Sequence, residues 1–261
     1  MARISVAEAA RRLGVGERRV QQRIADGSLP AERIGQRWAI DERDLLPVQN
    51  QRDPGRPISE RSAWAVIAAS LVLLSAPDER RAEGASHWLS NLASSERIRA
   101  RNRLRDILVR NPKAAAEVDI AQVAGELRML LGNRANRLAL RASPRDLADL
   151  RADDRLALAG LSSRDSAIAA GELVEGYIDA AGFDAVVDDY LLEQVQREDD
   201  ANVILHVVPE EVAKRSPELW RDAVAMVPLV LAVDLAEHRR PREQARAADI
   251  VADMHSRVID P

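Results

Sequence analysis

The sequence predicts an α+β protein: a small N-terminal module of two helices and a β-hairpin, then a mostly helical body with short strands. Three observations carry this. Residues 1–46 hold two short amphipathic helical segments followed by a pair of short strands. Residues 47–61 (PVQNQRDPGRPISER) are rich in proline and almost free of apolar side chains, as a linker is. From residue 62 to residue 261, apolar segments at helical spacing alternate with four or so short strand-like runs.

Composition bounds the function classes. The chain has 261 residues, 46% of them hydrophobic, so a packed core is expected. Aromatic residues make up only 3%, which leaves Leu, Val, Ile and Ala to build that core. Cysteine is absent, and with it disulfides, thiolate catalysis and cysteine-ligated zinc. Met1 to Ala10 contain no apolar stretch of the kind a secretory signal needs, and the longest apolar run, Ala63 to Leu74, is too short to span a bilayer. A cytoplasmic protein without a membrane partner is expected. Charge is unevenly placed: residues 1–63 carry 12 basic against 9 acidic side chains, residues 64–141 carry 13 against 8, and residues 142–261 carry 13 against 25. The front of the chain suits a polyanion, and the acidic last third suits a basic protein partner.

In the N-terminal module, Ser5-Val6-Ala7-Glu8 has the form of a capping box. The helix it opens, Val6 to Leu13, places Val6, Ala9, Ala10 and Leu13 on one stripe. Gly14-Val15-Gly16 supplies a turn, and a second helix, Glu17 to Ala25, has Val20 and Ile24 on its inner face before Asp26-Gly27 stops it. With those two residues inside, Arg18 and Gln22 fall on the opposite face, flanked by Arg19, Gln21 and Arg23. Arg and Gln pair bidentately with guanine and adenine edges in the major groove. Leu29 to Ile40 then predicts two strands around a Gly35-Gln36 turn, with Ile34, Trp38 and Ile40 inward, Arg33 and Arg37 able to reach phosphates and Gln36 a further candidate DNA contact. Asp41 is expected to cap a short helix ending near Leu46.

This order of elements resembles the winged helix-turn-helix of the excisionase and MerR type. The resemblance implies a second helix in the major groove of double-stranded DNA and a wing along the backbone. A module this small usually needs two half-sites or an added DNA contact, so a homodimer on an operator is expected. Within the linker, Pro54-Gly55-Arg56-Pro57 resembles the core of an AT-hook, with Pro54 where a basic residue usually stands. It makes Arg56 a candidate minor-groove contact.

In the body, Ser62 to Ser75 is apolar nearly all round and predicts a core helix. Ser95 to Arg110 predicts a helix with Ile98, Leu104, Ile107 and Leu108 on one side and five arginines over the rest. That arginine face is either a solvated surface or a second DNA contact. Asp119 caps a helix through Leu131, with Gln122 at the capping-box position. Strands follow at Arg137–Arg141, Arg155–Leu161, Leu173–Ile178 and Asn202–Val208. Helices are expected from Ser143-Pro144 to Leu150, from Asp179 with Phe183, Val187 and Tyr190 on one face, from Leu229 to Glu237, and from Arg242 to Val258. His238 to Pro241 reads as a polar turn.

Arg137 to Leu140, Val174 to Tyr177, Asn202 to Pro209, Val233 to Glu237 and Ala245 to Ala248 resemble the C-terminal domain of AbiEi-type antitoxins. That resemblance implies a repressor of its own operon, which also encodes a nucleotidyltransferase toxin. A recombination accessory factor and a ligand-responsive repressor are the alternatives. No catalytic, metal or cofactor site is expected. His87, His206, His238 and His255 have no metal-binding spacing, and Asp188-Asp189 and Glu198-Asp199-Asp200 read as solvated turns. No glycine-rich phosphate loop or GxSxG is present.

Overall fold

The computed structural model describes residues 3–13, 16–25, 29, 31–34, 37–41, 58–74, 81–110, 119–169, 171–195 and 197–258. The chain divides into two compact units, Met1–Pro54 and Gly55–Pro261.

In the first unit, β1 (Arg3–Ser5) leads into α1 (Val6–Leu13) and α2 (Glu17–Ala25), and β2 (Glu32–Ile34) and β3 (Arg37–Asp41) follow. The strands form an antiparallel sheet of order β1-β3-β2, with Ile4 opposite Ile40 and Arg33 opposite Trp38. The first strand adds to the two expected from the sequence; three residues are too few for a period-2 pattern to show. The Glu8 N–H donates to Ser5 Oγ at 3.2 Å, the first half of the capping box. The second half is missing, because the Glu8 carboxylate turns forward to Arg11 and Arg12. Ala9, Ala10, Val20, Leu29 and Ile40 make the buried core, with Ile4, Val6, Ile24 and Ala31 packed against it. The expected Gly14-Val15, Asp26-Gly27 and Gly35-Gln36 turns lie outside the described residues, as do the helix expected after Asp41 and most of the linker.

The second unit opens with α3 (Glu60–Leu74), α4 (Arg81–Ser90), α5 (Ser94–Arg110) and α6 (Ile120–Leu131). The first of these is buried along Ala63–Leu71, as its all-round apolar sequence requires. Asp119 caps α6 by accepting from the Gln122 N–H at 3.1 Å. Then come β4 (Asn136–Arg141), α7 (Leu147–Ala152), β5 (Ala157–Leu158), β6 (Val174–Asp179), α8 (Ala180–Asp189), β7 (Glu193–Gln194) and β8 (Val203–Val208). Four helices end the chain: α9 (Glu210–Arg215), α10 (Pro217–Met226), α11 (Pro228–Glu237) and α12 (Pro241–Val258).

The five-stranded sheet has the order β5-β6-β8-β4-β7; β6 and β8 run parallel and the other pairs antiparallel. Helices cover both faces. Val174, Ile178, Val203, Leu205 and Leu140 point to the face packed by Leu147, Leu150 and Val186 of α7 and α8. Tyr177 and Val208 point the other way, into the larger core built by α3, α6, α11 and α12. Both faces of β8 are thus buried, which explains its unbroken apolar sequence.

Four expectations are corrected. Ile98 is 57% exposed, because the buried stripe of α5 runs through Ala100, Leu104, Ile107 and Leu108, and Ile98 lies well off it. The helix after Ser143 starts only at Leu147; the Asp146 N–H closes a turn on the Ser143 carbonyl at 3.0 Å. The strand expected over Arg155–Leu161 shrinks to Ala157–Leu158, since Gly160 adopts φ +48° and turns the chain into the core. Trp38 does not pack inward and is 37% exposed. Its face of β3 is buried only at Ile40, under the helices.

Candidate nucleic-acid interface and a buried polar centre

The second helix of the N-terminal unit is held by Val20, which is fully buried, and Ile24, which is half-buried. Arg18, Gln21 and Gln22 are exposed, as the helical period demands. Arg19 and Arg23 belong to the same helix. On the hairpin, Arg33 is exposed and its guanidinium carbon stands 5.9 Å from the centroid of the Trp38 ring. The two residues are cross-strand partners, so they share one face of the sheet. The indole offers a flat apolar rest for the guanidinium, which keeps its N–H groups available to acceptors. Arg37 opens β3; Gln36 and Arg56 lie outside the described residues. The elements thus place Arg18, Gln21 and Gln22 on one exposed helical face and Arg33 on the hairpin.

The body holds a second concentration of chemistry. Glu175 of β6 is fully buried, and its Oε1 accepts from His206 Nε2 at 3.0 Å. Its Oε2 accepts from His238 Nε2 at 2.8 Å and from the Leu161 N–H at 2.8 Å. Burial would push this carboxyl up, but hydrogen bonds from the two imidazoles prevail and hold it well below the usual carboxylate range. Burial likewise opposes protonation of His238, and the Glu175 carboxylate overcomes it, raising the imidazole above its ordinary value.

Beside this triad stands Arg134, buried and donating from its terminal nitrogens to Asp234 at 2.6 Å and to Glu237 at 2.7 and 2.8 Å. The Tyr177 hydroxyl donates to the same Asp234 oxygen at 2.6 Å, and its ring stacks on His206 with centroids 4.6 Å apart. Burial raises Tyr177 far above its normal range and also raises Asp234, although Arg134 pulls the carboxyl the other way. Arg134 Nη2 lies 3.4 Å from His206 Nδ1. A guanidinium only donates, so that imidazole nitrogen is an acceptor and the ring proton belongs on Nε2, facing Glu175.

Gly160 makes the arrangement possible. Its N–H reaches Asp234 at 3.2 Å, and a Cβ there would lie 2.1 Å from the Glu175 carboxyl. Donor atoms of His206, Asp234 and Glu237 lie within 4.8 Å of one another, a spacing that fits a metal ion. The Arg134 guanidinium bonds both carboxylates and so supplies their positive charge; the donor set does not fit an added cation.

Sequence reasoning found no metal-binding spacing at His206, whose ring is hydrogen-bonded to Glu175 in the core. It missed the rest of the centre. His238, expected in a polar turn, is buried against Glu175. Glu198 lies in an exposed turn, as expected, and in addition accepts from Arg137 through both carboxylate oxygens at 2.6 and 2.9 Å. The available signal was a carboxylate inside an apolar run: Glu175 in Leu173–Ile178 and Asp234 in Leu229–Ala236.

Residues 4–52 match the family model of a helix-turn-helix domain. The match falls on the unit that carries the exposed Arg18–Gln22 face and the Arg33 hairpin, and it supports DNA binding by that unit. Neither the curated proteins nor the solved structures contain a match to the chain. No helix among the described residues is long and apolar enough to cross a membrane.

Proposed function

We propose that the protein is a sequence-specific transcriptional repressor that acts as the antitoxin of a toxin–antitoxin operon. The observation that carries the DNA half is the exposed Arg18-Gln21-Gln22 face opposite buried Val20, on the second helix of a segment matched as helix-turn-helix. In this reading α2 enters the major groove, Arg33 and Arg37 hold the backbone, and two copies bind the half-sites of an operator. Arg56 adds a minor-groove contact. The body carries no catalytic, metal or cofactor role, and the protein acts in the cytoplasm.

The antitoxin half rests on the resemblance of the segments forming β4, β6, β8 and α11 to the body of AbiEi-type antitoxins, whose toxins are nucleotidyltransferases. The acidic last third offers a complementary surface to a basic partner. Co-expression decides it. The full chain is expected to rescue growth from the toxic product of the adjacent gene, and lack of rescue removes the antitoxin assignment while leaving DNA binding intact.

One observation favours a second reading, a ligand-responsive repressor. A groove of about 400 Å³ is lined by apolar Val227, Leu231, Ile250 and Met254 and by both charges, Arg246 and Arg257 with Asp165 and Asp253. Operator affinity that changes with a small metabolite would favour this reading over the antitoxin.

A further inference from the structure

We infer that the outer face of α5 is a second DNA contact, one that grips phosphates without reading sequence; this rests on the DNA-binding reading of the N-terminal unit. Along this helix Arg99, Arg101 and Arg105 are exposed and Arg103 is half-buried. None of the four is within ion-pair distance of a carboxylate among the described residues. A solvated arginine face normally pairs its charges at i,i+4. Here Arg101 and Arg105 are themselves four apart, a like-charge pair that costs helix stability.

The two acids of the helix do not relieve this. Glu96 is taken by Arg61 at 3.2 Å and by the Ala93 N–H at 2.8 Å, and Asp106 forms no ion pair among the described residues. Arg97 shows what an arginine spent on structure looks like: it donates to the Leu92 carbonyl at 2.7 Å and to Ser94 Oγ at 3.0 Å. Its neighbours at 101, 103 and 105 make no such bonds among the described residues.

A row of guanidiniums with no ion pair among the described residues is complementary to a polyanion, and the chain already carries a unit that binds one in this reading. Arginine pairs bidentately with phosphate oxygens, and each neutralised phosphate releases counterions. Contacts to phosphate oxygens carry no base information, so this contact adds affinity to all sequences equally.

The test is a salt titration of the full chain on two duplexes, one recovered by selection and one of random sequence. Arg101→Gln/Arg105→Gln is expected to weaken both by the same factor. It should also make the slope of log affinity against log salt shallower by about 2, close to one unit per lost phosphate contact. Arg18→Ala, in contrast, should lower only the affinity for the selected duplex. Unchanged slope and affinity in the double variant, with the wild-type chain binding normally, overturn the α5 contact and leave the DNA reading standing. A double variant whose oligomeric state changes while its DNA slope does not also overturns it, and assigns the face to the acidic third of a second copy. A wild-type chain that binds neither duplex ends both readings together.

Discussion

Glu175 is surrounded on every side, and its charge persists because His206, His238 and the Leu161 N–H all donate to it. The linkage to pH follows from the two shifts. Glu175 is depressed, so its contribution is present above the unfolded value of 4.5 and is lost as pH falls through the folded value. His238 is raised, so its contribution is full below the unfolded value of 6.5 and is lost as pH rises through the folded value. Body stability is therefore expected to be greatest in weak acid and to fall on the alkaline side of 6.5, where His238 discharges. Urea midpoints measured across that range check this, and His238→Gln should flatten the alkaline limb; an unaltered limb would contradict it. Arg137 and Glu198, which flank the imidazole, contribute smaller opposing effects.

Two substitutions test the rest of the centre. Gly160→Ala forces a side chain into positive φ and against the Glu175 carboxyl, and is expected to cost more than about 2 kcal/mol by denaturant unfolding. Arg134→Leu leaves Asp234 and Glu237 buried without their cation, at a cost of about 3–5 kcal/mol. Little of this was legible in the sequence. The side-chain partners of Arg134 stand 43 to 103 residues away, and no local period records a contact at that range.

At the scale of elements, the periodic segments were legible and the irregular ones were not. The inner stripe of α2, the Asp119 and Asp179 caps and the apolar run of β8 each follow from spacing or from one side chain bonding a neighbouring N–H. What escaped were the short pieces set by tertiary contacts: β1, α4, α9 and α10, and the truncation of β5 at Gly160. Trp38 and Ile98 failed for a related reason. Periodicity says which face a residue shares, but the extent of the covering layer decides whether that face is buried there. The elements of the DNA-binding unit divide their work, and that division is measurable. Gln22→Ala on α2 should relax discrimination at one base position by about 1–3 kcal/mol. Arg33→Ala on the hairpin should weaken binding to selected and random duplexes alike. Equal losses on both duplexes for both variants would contradict the assignment of α2 as the reading helix.

At the scale of the whole molecule, the charge partition is the most consequential property. Residues 64–141 have five more basic than acidic side chains, and residues 142–261 have twelve more acidic than basic. A net charge of −4 conceals that separation. Long-range steering of DNA by the basic part falls with ionic strength over a screening length of about 10 Å at 0.1 M salt. Whether the N-terminal unit reads sequence decides the function. Repeated selection of the full chain against a pool of randomised duplexes tests this most directly. It predicts enrichment of one motif, with Arg18→Ala and Gln22→Ala variants losing preference at particular positions of it. A pool that stays random after selection, or a motif those variants bind as the wild type does, would contradict the reading.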